Sequence, residues 1–366
     1  MNKGFSANTF ARRRRKLQQQ LDGADAFLIV GPSNVRYLTG FTGDSTYLLL
    51  DKSQCWMLSD PRYEVQIAEQ CPNVPLLLRK PNETIPEFAA QQLLELGMQR
   101  VRVEFHLLSV RASLVFGDIE LIDAEQAVER LRMIKDADEL SILERAVAIA
   151  EHAMEAVLPV LHSRLSERQV AHELERLMRS LGATGCSFPP IVAVGARAAL
   201  PHAEPGETTL GAHGLLLIDW GATYMGYRSD LTRVFATSRI PAKLARAYEA
   251  VAAAKSEAIE AMKPGVATGE VDDVVRRVLR EYRLESRFNH GLGHGLGLDI
   301  HEGPRMGRGA TATLEPGMVV TVEPGVYFPG LGGIRIEDDV LITDSGAHVL
   351  SRLPRSLDEN RRTLLA

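Results

Sequence analysis

Apolar residues fall along the chain in two patterns: short continuous runs, and positions recurring every three or four residues. The first reads as buried strand and the second as amphipathic helix. Arg12 to Leu21 reads as a helix, and Ala26 to Val30 as a strand stopped by a turn at Gly31-Pro32. Two more runs, Thr46 to Leu50 and Gln54 to Leu58, are split by Asp51-Lys52-Ser53. Tyr63 to Glu69 and Thr84 to Leu96 have helical spacing, while Arg100 to Glu104 and Ile119 to Ile122 are strand-like. Strands alternating with helices predict an α/β domain over residues 1–132, its first eight residues a loose terminus.

A second domain, residues 133–366, follows a link at Leu131 to Asp136. Asp138 is the expected N-cap of a long helix from Glu139 to Leu161, whose apolar positions Leu140, Leu143, Val147, Ala150, Met154 and Val157 lie on one face. Ser166 caps a helix to Leu181. Strands dominate from Ser187 to Phe235, helices return at Ala242 to Met262 and Gly269 to Tyr282, and glycine-rich strands and loops run from Asn289 onward.

Composition changes this picture little. The 366 residues are 45% hydrophobic and 24% charged, with a net charge of −5, so a sizeable core is available and neither nucleic acid nor an acidic surface is an expected partner. The run Arg12-Arg13-Arg14-Arg15-Lys16 reads as a solvated helix start, because Leu17 and Leu21 follow it among glutamines, and as no export signal, because no apolar core follows it. No stretch approaches the ~20 apolar residues of a membrane span. Three cysteines without a Cys-x-x-Cys pair fit a reducing compartment, so a cytoplasmic location is expected.

The chemistry starts at Leu215. Four aliphatics run straight into Asp219, a costly acid to bury without a partner. A two-residue turn at Met225-Gly226 sets Tyr224 opposite Tyr227 and Asp219 opposite Thr232, making Asp219 and Asp230 diagonal neighbours about 7–8 Å apart. A one-residue bulge would undo this register. Further on, His290, His294 and His301 stand among glycines, Glu323 ends the run Met318 to Val322, and Arg335 and Glu337 share a strand face opposite Ile334 and Ile336. Each acid alone can be a salt-bridge member. Together, Asp219, Asp230, Glu323 and Glu337 carry four charges that repel unless cations lie between them. With His294 they form an oxygen-rich set suited to Mn, Co, Fe or Zn. Two such ions ~3.5–4 Å apart can acidify a shared water and polarise a carbonyl.

These blocks resemble the pita-bread metallopeptidases, the family of methionine aminopeptidase, aminopeptidase P and prolidase. The matching stretches are Ser187-Phe188, Pro201-His202-Ala203, Asp219 to Ala222, Ser229 to Arg233, Gly293-His294-Gly295 through Pro304, Thr321 to Gly325, and Gly333 to Asp338. The first domain resembles the creatinase-type N-terminal domain, through Asn34 to Phe41. Methionine aminopeptidases lack such a domain, which favours the proline-directed branch. The resemblance implies a creatinase-like α/β domain followed by an α+β pita-bread domain. It implies two divalent ions per subunit, with manganese the first expectation. Asp219 would chelate one ion, Asp230 and Glu337 would bridge both, and His294 and Glu323 would hold the other. Glu323 would also act as general base, His202 and His301 would stand over the substrate, and His290 and Arg335 would line the pocket. Thr232 and Thr321 are candidate orienting partners. Proline-containing peptides or dipeptides are the implied substrates, and a homodimer the implied assembly. Ala196-Arg197 depart from the family pattern, where Asn is common. Two other readings, a metal-free creatinase-like amidinohydrolase and a non-catalytic peptide-binding module, both expect lost metal ligands, whereas all five are present.

Overall fold

The computed structural model describes residue 5 and residues 7–365. The chain divides into two compact units, Met1–Arg132 and Met133–Ala366. In the first, a six-stranded sheet is built from β1 (Ala26–Ile29), β2 (Tyr47–Leu50), β3 (Cys55–Ser59), β4 (Leu76–Leu78), β5 (Arg100–Val103) and β6 (Glu120–Asp123), in the order β4-β3-β2-β1-β5-β6. Its helices are α1 (Ala7–Gln18), α2 (Pro32–Thr39), α3 (Glu64–Gln70), α4 (Ile85–Glu95), α5 (Val110–Ser113) and α6 (Ala127–Met133). Every residue of β1 is buried, as a central strand covered on both faces requires. Leu28, Leu49, Val101 and Val103 pack under Phe88, Ala89 and Leu93 of α4.

The second unit opens with α7 (Ala137–Val157) and α8 (Glu167–Ser180) and later adds α9 (Ala242–Ala261) and α10 (Thr268–Glu281). Between these pairs run β7 (Gly185–Cys186), β8 (Ile191–Val194), β9 (Leu215–Trp220), β10 (Ala222–Tyr224), β11 (Tyr227–Arg228) and β12 (Leu231–Ala236). The order β12-β9-β8 makes one sheet and β11-β10-β7 another. After α10 come β13 (Gly293–Gly295), β14 (Glu302–Met306), β15 (Val319–Val322), β16 (Gly325–Phe328), β17 (Gly332–Arg335), β18 (Asp338–Thr343) and β19 (Gly346–Val349). Five of them form a sheet ordered β14-β13-β15-β18-β19, and β16 pairs with β17.

The two faces of β9 and β12 build two cores. Leu216, Ile218, Trp220, Leu231 and Phe235 pack with α7 and α8, and the Trp220 indole donates to the Ala150 carbonyl at 2.9 Å. Leu215, Leu217, Val234 and Ala236 pack with α9 and α10. Period-two alternation therefore puts Asp219 and Thr232 on this second face. The expected register is present, with Tyr224 opposite Tyr227 and Thr232 opposite Asp219.

Several elements differ from expectation. The predicted loose terminus falls largely outside the described residues, and α1 already begins at Ala7. Gly31-Pro32 is no simple turn: Pro32 stands in the first turn of α2, where its missing N–H costs nothing, and Gly40 at φ 83° ends that helix. The cap of α7 is Asp136, not Asp138, because Asp136 and Glu139 exchange side-chain-to-backbone bonds at 3.1 and 3.0 Å. A 3₁₀ turn over Leu158–Val160 then ends the helix earlier than predicted. Strand β4 and helix α5, of three and four residues, are too short for a periodicity to reveal them.

Helix α8 allows local and packing contributions to be separated. Ser166 caps it reciprocally with Gln169, and Leu174 is fully buried on its inner face. Ser166→Ala should cost about 1 kcal/mol and Leu174→Ala about 2–5 kcal/mol. Urea unfolding followed through Trp220, with Trp56 replaced by Phe, measures both. Equal losses would contradict this assignment.

Candidate metal centre

Each predicted ligand is delivered by a buried backbone element. Asp219 is the fifth residue of β9, and Asp230 directly precedes β12. His294 is the middle residue of β13, a strand rather than the loop its glycines suggested. Those glycines serve close packing: a Cβ on Gly293 would lie 2.1 Å from the Thr321 carbonyl oxygen, and one on Gly295 would lie 1.9 Å from that of Gly303. Glu323 follows β15. Glu337 sits between β17 and β18, and its N–H donates to the Thr232 carbonyl at 3.1 Å.

The nine residues expected to be ligands, catalytic groups or pocket lining all line one cavity of about 730 Å³: Asp219, Asp230, His294, Glu323, Glu337, His202, His290, His301 and Arg335. Ligand atoms of Asp230, His294 and Glu337 lie within 4.8 Å of one another. His294 Nε2 is 3.7 Å from Asp230 Oδ2 and 3.6 Å from Glu323 Oε1, beyond hydrogen-bond length. Its Nδ1 faces the Gly295 carbonyl oxygen at 3.0 Å, which assigns the proton to Nδ1 and leaves the Nε2 lone pair aimed at the acids. Asp219 is held apart by Arg335, which donates to its Oδ2 at 2.5 Å, while its Oδ1 is buried with no hydrogen-bond partner among the described residues. The Thr232 hydroxyl donates to Glu337 Oε2 at 2.6 Å, and the Thr321 hydroxyl lies 3.4 Å from Glu323 Oε1.

Electrostatics follows from this crowding. Burial, then the neighbouring Glu337 and Asp219, raises the Asp230 carboxyl well above its ordinary range. Burial and Glu337 do the same to Glu323, and burial with Asp219 pushes Glu337 up to about 8. Burial also raises Asp219, against the opposing pull of Arg335. The imidazoles move the other way: burial pushes His290 and His294 down to about 4, keeping both neutral at pH 7. Four acids that resist ionisation, an orphaned carboxylate oxygen and an inward lone pair form a donor set that fits divalent cations.

The sequence did not reveal what braces these ligands. Asp338 is fully buried and accepts from Arg233 at 2.6 Å, from Arg355 at 2.5 Å, and from Lys255 and Ser351. Arg233 also donates to the carbonyls of Thr232 and Glu337 at 2.9 and 2.5 Å, so this cluster fixes the backbone beneath Glu337. Asp339 accepts from the Asp230 N–H at 3.0 Å. The Tyr327 hydroxyl accepts from Arg335 Nη1 at 2.9 Å and lies 3.0 Å from His290 Nε2. The double acid Asp338-Asp339 after Glu337 was the available signal, since charged residues within an apolar strand must be paired.

A cavity floored by four mutually repelling acids and one neutral imidazole, carried on paired strands between helices, belongs to a metallohydrolase. Residues 141–344 match the family model described as metallopeptidase family M24, and residues 13–134 match the creatinase/prolidase N-terminal domain. The chain belongs to metallopeptidase family M24, with the pita-bread fold in its second unit. It is 33% identical to a Xaa-Pro dipeptidase of Pyrococcus horikoshii over 343 residues, which is 91% of this chain and 94% of that protein. Among solved structures, a Xaa-Pro dipeptidase from Bacillus anthracis superposes with a TM-score of 0.90 at 36% identity, over 95% of this chain and 99% of the other. An X-Pro aminopeptidase from Thermotoga maritima gives a TM-score of 0.86 at 32% identity, over 94% and 98%.

Repulsion among the acids has a measurable consequence. Asp230→Asn keeps the shape and removes one charge. In metal-free protein it should raise the melting temperature by roughly 2–4 °C per kcal/mol relieved, and added Mn²⁺ should then stabilise the variant less than the parent. Thermal scans with and without Mn²⁺ measure this. A variant that melts lower without metal would show that the acids do not repel.

Proposed function

We propose that this chain hydrolyses the bond between an N-terminal residue and proline, in dipeptides or at the start of short peptides, using two divalent ions with manganese the first choice. The observation that carries the reading is the group of Asp230, Glu323 and Glu337 around the unprotonated Nε2 of His294, with Asp219 lining the same cavity. The names of the relatives, Xaa-Pro dipeptidase and X-Pro aminopeptidase, supply the substrate class.

In this reading Asp219, Asp230, His294, Glu323 and Glu337 would together hold the two ions, with Asp230 and Glu337 serving both. When bound, the ions supply charge neutralisation, an acidified water and polarisation of the scissile carbonyl. The protein's own groups do the rest. Glu323, which lines the cavity at the end of β15, takes the proton of the attacking water. His202 and His301, both exposed at the cavity, donate to the oxygen on which charge develops. The departing proline nitrogen, tertiary in the amide, leaves only with a proton, which Glu323 or a histidine returns. Phe188, Pro189, Pro190, Ile191 and Met306 give the cavity an apolar wall suited to a pyrrolidine ring. Arg335 and the Tyr327–His290 pair fix the opposite wall. The homodimer and the cytoplasmic location belong to the same proposal; among the described residues, no helix is long and apolar enough to cross a membrane.

The test is a series of Ala-Pro, Ala-Pro-Gly, longer Ala-Pro peptides and Ala-Ala, assayed with Mn²⁺ and with Co²⁺. Cleavage of Ala-Pro but not Ala-Ala is expected, and loss of turnover by at least about a thousandfold in Asp230→Ala. Release of alanine from the longer members would define an aminopeptidase, and cleavage of the dipeptide alone a dipeptidase. Equal cleavage of Ala-Ala, or an active Asp230→Ala, would contradict the reading.

A further inference from the structure

His202 reaches the cavity on a loop, residues 195–206, which leaves the end of β8 and gives Pro201, His202, Ala203, Glu204 and Pro205 to the lining. The loop begins as a 3₁₀ turn over Gly195–Ala199, and Ala196, Leu200, His202 and Glu204 are exposed. Packing alone does not keep so exposed a segment still.

A buried carboxylate holds it. Glu167, in the first turn of α8, has no exposed surface. Its Oε1 accepts from the Val194 N–H at 2.8 Å and its Oε2 from the Gly206 N–H at 2.8 Å, so one side chain ties the two ends of the loop together. Between them, Arg197 donates through Nε to Oε2 at 2.9 Å and through Nη2 to the Glu204 carbonyl at 2.5 Å. That second bond joins the start of the loop to the stretch that carries His202. On the cavity side, Arg335 donates to the Pro201 carbonyl at 3.3 Å.

A carboxylate buried this deeply is costly unless it is paired and hydrogen-bonded. Helix α8 does not need it as a cap, because Ser166 and Gln169 already form one. The hydrogen bonds of Glu167 land on the loop instead. Arg197 stands where Asn is common in the family pattern, and its longer, forked side chain is what reaches both Glu167 and the Glu204 carbonyl.

We propose that Glu167 and Arg197 are positioning residues, which pin this loop so that the His202 imidazole keeps one place over the acid cluster. This rests on the role given to His202 in the Xaa-Pro reading.

Hydrogen exchange and steady-state kinetics on the full chain test it. Arg197 is partly exposed, so its truncation spares the core. In metal-free protein, Arg197→Ala should speed amide exchange across residues 195–206 about tenfold and leave β9 and β12 unchanged. With Mn²⁺ bound, it should lower kcat for Ala-Pro about tenfold and move KM less than about twofold. Glu167→Gln should act in the same direction, and Arg197→Lys, which keeps the charge, should recover part of the loss. His202→Ala should lower kcat about a hundredfold. Adding Arg197→Ala to it should cost no more, because nothing is left to position. If the parent does not hydrolyse Ala-Pro, the proposed activity fails, and the exchange rates alone decide whether the loop is pinned. Unchanged exchange, an unchanged kcat, or losses that multiply in the double variant would overturn the proposal.

Discussion

Like-charge repulsion inside a buried cavity is the constraint around which the second unit is organised. Asp219, Asp230, Glu323 and Glu337 are carried in from three separate strand systems to the lining of one cavity. Each raises the cost of ionising the others. A fold tolerates such a cluster only when its backbone is too well fixed to relax away and when something of opposite charge compensates.

The surroundings supply the first condition. Both faces of β9 and β12 are buried under separate helix pairs, so the Asp219–Thr232 register cannot slip without inverting two cores. Arg233, Lys255 and Arg355 converge on Asp338 and lock the chain on either side of Glu337. Arg335 neutralises part of Asp219, and Thr232 serves both Arg335 and Glu337 through one hydroxyl. The Asp338 cluster lies outside the cavity lining, whereas Arg335 shares that lining with the acids. Carboxylate oxygens and the His294 lone pair also face the cavity, a donor set that fits the external cations the second condition asks for.

Much of this was legible in the residues. Four aliphatics ending in Asp219 imply a buried strand with a partnered acid, and the Met225-Gly226 turn fixes the register by counting, which the pairing reproduces. Glycines around His294 signal close backbone approach, and that is their role, although they belong to a strand. What stayed hidden depends on distance in sequence. Asp338 meets Arg233 and Lys255 across long separations that no local pattern encodes. The α7 cap was misplaced because Asp136 and Asp138 are both plausible locally, and only the reciprocal bonds with Glu139 choose between them. Glu167 likewise meets Val194, Arg197 and Gly206 at a distance along the chain, and no motif announces it.

The central claim is that the cavity is completed by two cations. Equilibrium dialysis of the purified, chelator-stripped chain against Mn²⁺, followed by metal analysis, tests it most directly. The account predicts saturation at two equivalents per chain. Retention of no manganese, at concentrations where the fold is intact by circular dichroism, would contradict it.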